Sequence, residues 1–230
     1  ALEWVKAQNA AAEAELAATP EFRRLEADLL AIYDSDARIP AVSKQGEWYY
    51  NFWRDQQNPR GLWRRTTLEE YRKPNPQWEV LLDLDALNKA EDTNWVWGGA
   101  NCLRPDYARC LVALSRGGAD ATVTREFDIP SKSFVEGGFF RPEAKGALTW
   151  IDRDTVYAFT DFGDGTLTES GYPRIVKRWT RGTPFESASV VYEGTADDMY
   201  ISAGRDHTPG FERDFVSRTI AFYNDEVYLV

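Results

Sequence analysis

The sequence predicts a mostly β protein, an incomplete β-propeller of about three and a half four-stranded blades preceded by two N-terminal α-helices. Three observations carry this prediction. Helical spacing of apolar residues ends near residue 40, short alternating strands separated by Gly, Pro, Asn or Asp follow, and groups of these strands resemble one another in order. Cys110 in RCLVAL and Thr155 in TVYAF lie about 45 residues apart, close to the period of a four-stranded propeller blade. Periodicity alone leaves a β-sandwich open as the alternative.

The N-terminal segment predicts two helices. Residues 2–17 are rich in Ala and Glu, and Thr19 followed by Pro20 supplies a cap and a first-turn proline for the second helix. That helix carries one apolar stripe at helical spacing, made of Phe22, Leu25, Leu29, Leu30 and Tyr33. We number this second helix α2 and refer to its five apolar residues as the α2 stripe, and we expect the stripe to pack on another element. Asp34 and Asp36 are interpreted as helix-terminus and turn residues rather than as a paired carboxylate site.

The strands that follow fall into similar groups. The third strand of each of the first three groups carries basic residues in an alternating frame, in WRRTT, VTREFD and VKRWTR, and a more aliphatic strand comes next. MYISAGRD, SRTIAFY and EVYLV form three strands of a fourth group, which lacks its last strand. We expect a helical segment at 1–37 and a partial propeller at 38–230, with blades near 40–90, 94–140, 146–195 and, incomplete, 197–230.

The last two strands predict a β-hairpin. Residues 219–223 and 226–230 alternate apolar and polar side chains, and Asn224 and Asp225 are expected to form the turn between them. An apolar edge strand with no successor invites pairing with other chains. We therefore predict self-association of this chain through its edge strands.

Composition excludes several classes of function. The formal net charge is -10 and no basic block occurs, so we expect no nucleic-acid binding and no attachment to anionic membranes. No window approaches the length of a transmembrane helix. The chain begins with Ala1 rather than Met, so localisation is left open, with a cytoplasmic location favoured.

Six segments in order resemble the prolyl oligopeptidase family of serine peptidases. They include LEWVKAQNA, RIP, YYNFWRDQQNPRGLWRRTTLEEY, WEVLLDLDAL, LVALSRGGAD and SGYPRIVKRWTRGT, and GGFFRPEAKGALTWIDRDTVYAFTDFG extends the match, so the resemblance covers essentially the whole chain. It implies the N-terminal part of such a peptidase, in which a propeller lies over an α/β-hydrolase domain that carries a Ser, Asp, His triad. It also implies that the propeller filters oligopeptides, and that the α2 stripe packs against a hydrolase domain absent from this chain.

The catalytic chemistry of that family is not visible in the sequence. Neither Ser170 nor Ser202 has the Gly-x-Ser-x-Gly frame of a nucleophile elbow, and His207 is the single histidine, in a stretch that predicts an exposed loop. Asp161 and Asp164 in DFGDG are interpreted as turn residues rather than calcium ligands. We expect no catalytic residue, metal or cofactor, and an isolated chain that does not hydrolyse peptides.

Two further side-chain sets are candidates for a role. Cys102 and Cys110 flank LRPDYAR on predicted neighbouring strands, so a disulfide and a pair of free buried thiols are both open. The resemblance places Arg205 in a region that contacts bound peptide, against the alternative of a surface salt bridge. The function that follows is a non-catalytic propeller part that gates oligopeptide access. The alternative is a free-standing propeller or sandwich module that binds a peptide or glycan.

Overall fold

The computed structural model describes residues 1–35 and 37–230; Asp36, one of the two residues assigned above to a turn, lies outside them. Helix α1 spans Leu2–Ala12, a π-helical turn spans Glu13–Ala17, and α2 spans Pro20–Tyr33. The expected cap is present, because the Thr19 side chain accepts a hydrogen bond from the backbone N–H of Phe22 at 3.2 Å. Asp34 ends α2 as its C-terminal cap residue.

The strands form four successive antiparallel sheets. Sheet I contains β1 (Ser43–Gln45), β2 (Trp48–Trp53), β3 (Leu62–Thr67) and β4 (Glu79–Asp83). Sheet II contains β5 (Trp95–Cys102), β6 (Arg109–Arg116), β7 (Thr122–Asp128), β8 (Ser133–Phe134) and β9 (Phe140–Ala144), the last paired with β7. Sheet III contains β10 (Ala147–Asp152), β11 (Thr155–Phe159), β12 (Ile175–Thr180) and β13 (Ser189–Glu193). Sheet IV contains only three strands, β14 (Tyr200–Asp206), β15 (Arg213–Ala221) and β16 (Asn224–Leu229).

Two short helices interrupt the strand pattern of sheet I. Helix α3 spans Leu68–Tyr71 and α4 spans Leu84–Glu91, and a 3₁₀ turn lies at Phe185–Ser187 in sheet III. Strand β4 ends at Asp83, because the Asp83 side chain accepts a hydrogen bond from the N–H of Ala86 and caps α4. The fold class is otherwise as predicted: mostly β, four-stranded antiparallel sheets, and helices at the N-terminus.

The basic residues of the repeated motif lie on the third strand of sheets I, II and III, as the sequence predicts. Each of these three strands supplies a cation to an aromatic ring: the Arg64 guanidinium lies 4.3 Å from the Trp78 ring centroid, and Arg125 lies 3.6 Å from that of Phe134. In sheet III, Lys177 does the same for Phe162 at 4.2 Å. The repeat therefore has a packing cause, since these contacts cover aromatic faces on each sheet.

The expected turn of the last hairpin is wrong by two residues. The turn is formed by Phe222 and Tyr223, and Asn224 already pairs with Ala221. Cross-strand polar contacts set this register, with Arg218 bound to Glu226 at 3.2 Å. Tyr223 accepts a left-handed backbone, φ +62°, in order to close the turn.

Three separate apolar cores lie between successive sheets. Trp63 and Leu114 belong to the core between sheets I and II, and Leu111 and Trp150 to that between sheets II and III. The third core, between sheets III and IV, contains Ile201. Adjacent residues of β6 and β11 point into different cores, so each inner sheet buries both faces, as blades of a propeller do.

The first strands of sheets II to IV lie side by side at the inside of the arrangement. The indole N–H of Trp150 on β10 donates to the carbonyl of Asn101 on β5 at 2.9 Å, and the Thr149 hydroxyl donates to Ala203 O on β14 at 2.8 Å. We call the end of the propeller that carries the β1–β2, β5–β6, β10–β11 and β14–β15 connections the first-turn end. The opposite end is the helix end, because α2 meets the β2–β3 loop there, in a cleft that includes Tyr33 and Arg54.

The N-terminal helices bury none of their described residues. All five members of the α2 stripe are exposed, Leu25 by 57% and Tyr33 by 70%. The packing partner that the sequence requires for this stripe is therefore not among the described residues. No described helix combines the length and apolar character needed to span a membrane.

Candidate functional site

A cleft of about 420 Å³ opens at the first-turn end between the first strands of sheets II, III and IV. We call it the inner cleft. It brings together three residues that the sequence singled out separately, Cys102, Arg205 and His207. Its remaining lining residues are Asn101, Arg104, Thr149, Trp150, Gly204, Asp206 and Thr208.

Hydrogen bonds between blades hold the walls of the inner cleft. Besides the two bonds that join β10 to its neighbours, His207 Nε2 lies 3.2 Å from the carbonyl oxygen of Trp150. His207 lies in the loop that follows β14, as the sequence predicts, but it is half-buried against sheet III rather than exposed. A ring nitrogen that donates to a main-chain carbonyl is fixed in one tautomer, which suits a structural role better than that of a free base.

Arg205 is held in place by an acidic and aromatic network. Its guanidinium donates to both carboxylate oxygens of Asp214 at 3.1 Å across the β14–β15 pair. Burial, and next the charge of Asp214, raise the pKa of the neighbouring Tyr157 hydroxyl to about 12. Arg205 therefore makes the salt bridge that was its alternative reading, and it also lines the cleft. A guanidinium fixed by a carboxylate has fewer rotamers to lose when it contacts a ligand.

Gly204 lines the inner cleft without a side chain. A Cβ at this position would meet no described atom within 4 Å, and its backbone does not have a positive φ. The backbone therefore accepts a larger residue at this position of the cleft lining. Substitution at Gly204 is therefore a suitable test of the role of the cleft.

The structure pairs Cys102 and Cys110 in a disulfide. The two residues are direct cross-strand partners of β5 and β6, and their Cα atoms lie 3.9 Å apart. Cys110 is fully buried in the core between sheets I and II. The bridge closes the loop 103–109, which contributes Arg104 to the inner cleft.

The other candidate residues do not form a reaction centre. Asp161 Oδ1 accepts the backbone N–H of Gly163 at 2.8 Å, which is the geometry of a turn residue. Ser170 lies 3.0 Å from the Thr168 hydroxyl, and Ser202 sits within β14. The described residues contain no group of three or more His, Cys, Asp or Glu side chains arranged for a metal ion.

Sequence reasoning missed most of the cleft. Asn101, Thr149 and Gly204 carry no motif, and roughly 50 residues separate each from the next. Only their blade register brings them together. The period of the strand groups was the signal that could have found them, since each belongs to the first strand of its group.

Comparison with known proteins agrees with this geometry. A family model described as the prolyl oligopeptidase N-terminal β-propeller domain matches residues 1–209. The uncharacterized peptidase y4nA of Sinorhizobium fredii is 40% identical over 99% of this chain, and the uncharacterized peptidase RP174 of Rickettsia prowazekii is 33% identical over 100% of it. These alignments cover 32% and 33% of the two relatives, so the chain spans about a third of their length.

A solved structure gives the same result. The post-proline cleaving enzyme from Rickettsia typhi superposes on 99% of this chain with a TM-score of 0.91 and 32% sequence identity, and the match covers 34% of that enzyme. The resemblance stated from the sequence is confirmed. The chain belongs to the prolyl oligopeptidase family and corresponds to its N-terminal β-propeller domain.

Proposed function

We propose that this chain is the non-catalytic propeller portion of a longer prolyl-oligopeptidase-like peptidase, in which it covers an α/β-hydrolase domain and limits access to oligopeptides. The observation that carries the proposal is the match of the whole chain to one third of a post-proline cleaving enzyme. The nucleophile, the oxyanion hole and the base belong to the remainder of the parent protein. The propeller forms part of the route by which a substrate reaches these catalytic groups.

The α2 stripe supports a covered position in the parent protein. Its five apolar side chains face solvent on a helix whose described residues are all exposed. A contiguous apolar face of this kind marks an interaction surface. We assign the stripe to contact with the hydrolase domain at the helix end.

The inner cleft supports the filtering role. It is open at Gly204, and Arg205 and Asn101 offer polar contacts beside it. An extended peptide presents carbonyl oxygens that a fixed guanidinium can bind, while a folded protein is too wide to enter. Arg205 is therefore proposed as a substrate contact.

Substitution of Gly204 in the parent protein tests this filtering role. We expect Gly204→Trp to lower kcat/KM for a long oligopeptide by tenfold or more, while kcat/KM for a chromogenic Gly-Pro substrate changes by less than twofold. Val190→Trp is the matched control, since Val190 is 57% exposed on the outer strand β13 and far from the cleft in the sheet order. Equal effects of Gly204→Trp on both substrates, or no effect on either, would remove the inner cleft from the substrate path.

A free-standing binding module is the second candidate from the sequence. Such a module has no partner domain to cover an apolar face on its N-terminal helices. Its edge strand must also be protected from pairing with other chains. The exposed α2 stripe and strand β16, whose residues are all exposed, count against it.

A further inference from the structure

The Cys102–Cys110 disulfide lies between the inner cleft and a core. Cys102 is half-buried and belongs to the lining of the inner cleft, whereas Cys110 is fully buried between sheets I and II. A thiol in solution therefore reaches the Cys102 end of the bond through the cleft. Disulfides that are accessible in this way are the ones that are reduced and re-formed most readily.

The disulfide closes the loop 103–109, which we call the bridged loop. Leu103 packs in the core between sheets II and III, and Arg104 lines the inner cleft. The Tyr107 ring lies against the β1–β2 turn, since a Cβ built on Gly46 would be 3.6 Å from its Cδ2 atom. A change in the bridged loop therefore acts both on the inner cleft and on the contact between sheets I and II.

Main-chain hydrogen bonds hold the bridged loop besides the disulfide. The N–H of Leu103 donates to Arg109 O at 2.8 Å, and the N–H of Tyr107 donates to Leu103 O at 2.9 Å. The N–H of Ile129 donates to Ala108 O at 2.9 Å and joins the loop to the β7–β8 connection. Each such bond contributes little net stability, so we expect loss of the covalent link to loosen the loop.

Sheet II itself does not depend on the disulfide for its strand order. Strand β6 pairs with β5 on one side and with β7 on the other along most of its length. A reduced cysteine packs as a small apolar residue, which suits the core around Cys110. Reduction should therefore free the bridged loop and leave the sheet folded.

We propose that Cys102 and Cys110 form a thiol–disulfide switch that sets the position of the bridged loop at the inner cleft. The reductant is a dithiol. One of its thiolates attacks Cys102 Sγ, the bond between the two cysteine sulfurs breaks, and Cys110 leaves as a thiolate that takes up a proton. The second thiolate of the dithiol then displaces Cys102 and closes the disulfide of the reductant. Two electrons pass to the cysteine pair, and the two protons of the dithiol end on the two cysteines.

The switch has a use at the inner cleft. The inference rests on the proposed function, because the bridged loop acts on a cleft that we assign to the substrate path. In the oxidised state the bond holds Arg104 at the lining of the cleft. In the reduced state the loop moves away more freely, so the oxidised protein is the stricter filter of long peptides.

Reduction of the 230-residue chain by dithiothreitol without denaturant tests the switch. After alkylation in urea, mass spectrometry should find two modified cysteines in the treated chain and none in the untreated chain, and removal of the reductant should reverse this. Amide hydrogen exchange at Leu103 and Tyr107 should become roughly fivefold faster or more on reduction. The β10–β11 turn at the same end is the internal control, because Asp154 N–H is held by Asp152 Oδ1 at 2.8 Å with no disulfide nearby.

Cys102→Ser/Cys110→Ala is the matched variant, since Ala suits the buried position of Cys110. Its bridged loop should exchange as fast as that of the reduced wild type, with or without dithiothreitol. A disulfide that is reduced only after unfolding in urea would overturn the proposal. Equal exchange of the bridged loop in the oxidised and reduced wild-type chains would overturn it as well.

The parent protein tests the effect on the cleft. Dithiothreitol should raise kcat/KM for a long oligopeptide roughly threefold or more and change kcat/KM for a chromogenic Gly-Pro substrate by less than twofold. The double variant should show the raised value with and without reductant, which separates this pair from other cysteines of the parent. An equal response of variant and wild type to dithiothreitol would refute control of the cleft by this pair.

The two proposals fail separately. Unchanged exchange of the bridged loop on reduction would remove the switch and leave the filtering role intact. Failure of the Gly204→Trp test would instead remove the filtering role, while the redox response of the loop, measured without turnover, would stand as a property of the chain.

Discussion

We predict that Arg141 stabilises the contact between sheets II and III more than any other polar side chain does. It is fully buried, and no carboxylate is among its described partners. Its guanidinium donates to the main-chain carbonyls of Ala144 at 2.9 Å and Gly146 at 3.1 Å, and to the hydroxyl of Thr122 at 2.6 Å. Burial lowers the pKa of this guanidinium to about 10, so its charge is poorly solvated and depends on these acceptors.

We expect Arg141→Met to lower the free energy of unfolding by about 2 to 4 kcal/mol. Two half-buried carbonyls lose their donor at about 1 to 3 kcal/mol each, and removal of the poorly solvated charge offsets part of this loss. For a chain of this size the change corresponds to a fall in melting temperature on the order of 10 °C. Urea unfolding followed by tryptophan fluorescence measures the difference directly.

Arg116→Met is the control for this prediction. The Arg116 side chain is 51% exposed and pairs with Glu143 at 2.9 Å, so its loss should cost no more than about 1 kcal/mol. If Arg141→Met and Arg116→Met destabilise the chain equally, the reasoning from the carbonyl acceptors of the buried Arg141 is refuted.

Three further predictions concern stability and association. Burial alone would raise the pKa of Asp198, but hydrogen bonds from Thr195 and the Arg218 guanidinium lower it. The ionised Asp198 therefore stabilises the fold fully above about pH 4, and this stabilisation is lost as pH falls through the lowered pKa. The stability gap between wild type and Asp198→Asn should therefore shrink from pH 6 to pH 3 in urea titrations, and a gap that widens would contradict the sign. Reduction of the Cys102–Cys110 disulfide should lower stability by about 2 to 3 kcal/mol, with no effect of reductant on the Cys102→Ser/Cys110→Ser variant; two free thiols by mass under non-reducing conditions would refute the pairing. Val227→Lys on the exposed strand β16 should reduce concentration-dependent self-association in sedimentation velocity, and a wild-type chain that stays monomeric would dismiss the edge-strand prediction.

Local sequence signals were sufficient for much of the fold. Thr19 and Pro20 mark the start of α2 because a capping oxygen and a preset φ act within one turn. The basic third strands were visible because their cation contacts recur in each sheet. The last turn was misplaced because Asn224 and Asp225 favour turns locally, whereas pairing of Arg218 with Glu226 fixes the register from across the hairpin.

The clefts were less accessible to sequence reasoning. Arg205 was located through a family resemblance, and nothing local to it indicates that Asp214 would hold it. The cleft between sheets I and II is lined by Gln45 and Tyr107, which come from different sheets and carry no shared motif. Long-range register decides which side chains meet, and a single sequence carries that register only through its repeat period.

The most direct test of the central claim is peptide hydrolysis by this chain alone and after addition of the remainder of its parent protein. We expect no cleavage of a chromogenic Gly-Pro substrate by the purified chain, because its described residues supply no nucleophile paired with a general base. In the mixture, we expect cleavage of short peptides, and we expect cleavage of long peptides to fall when the chain binds the remainder of its parent protein. Turnover that persists in the isolated chain and follows the protein through purification would contradict the account.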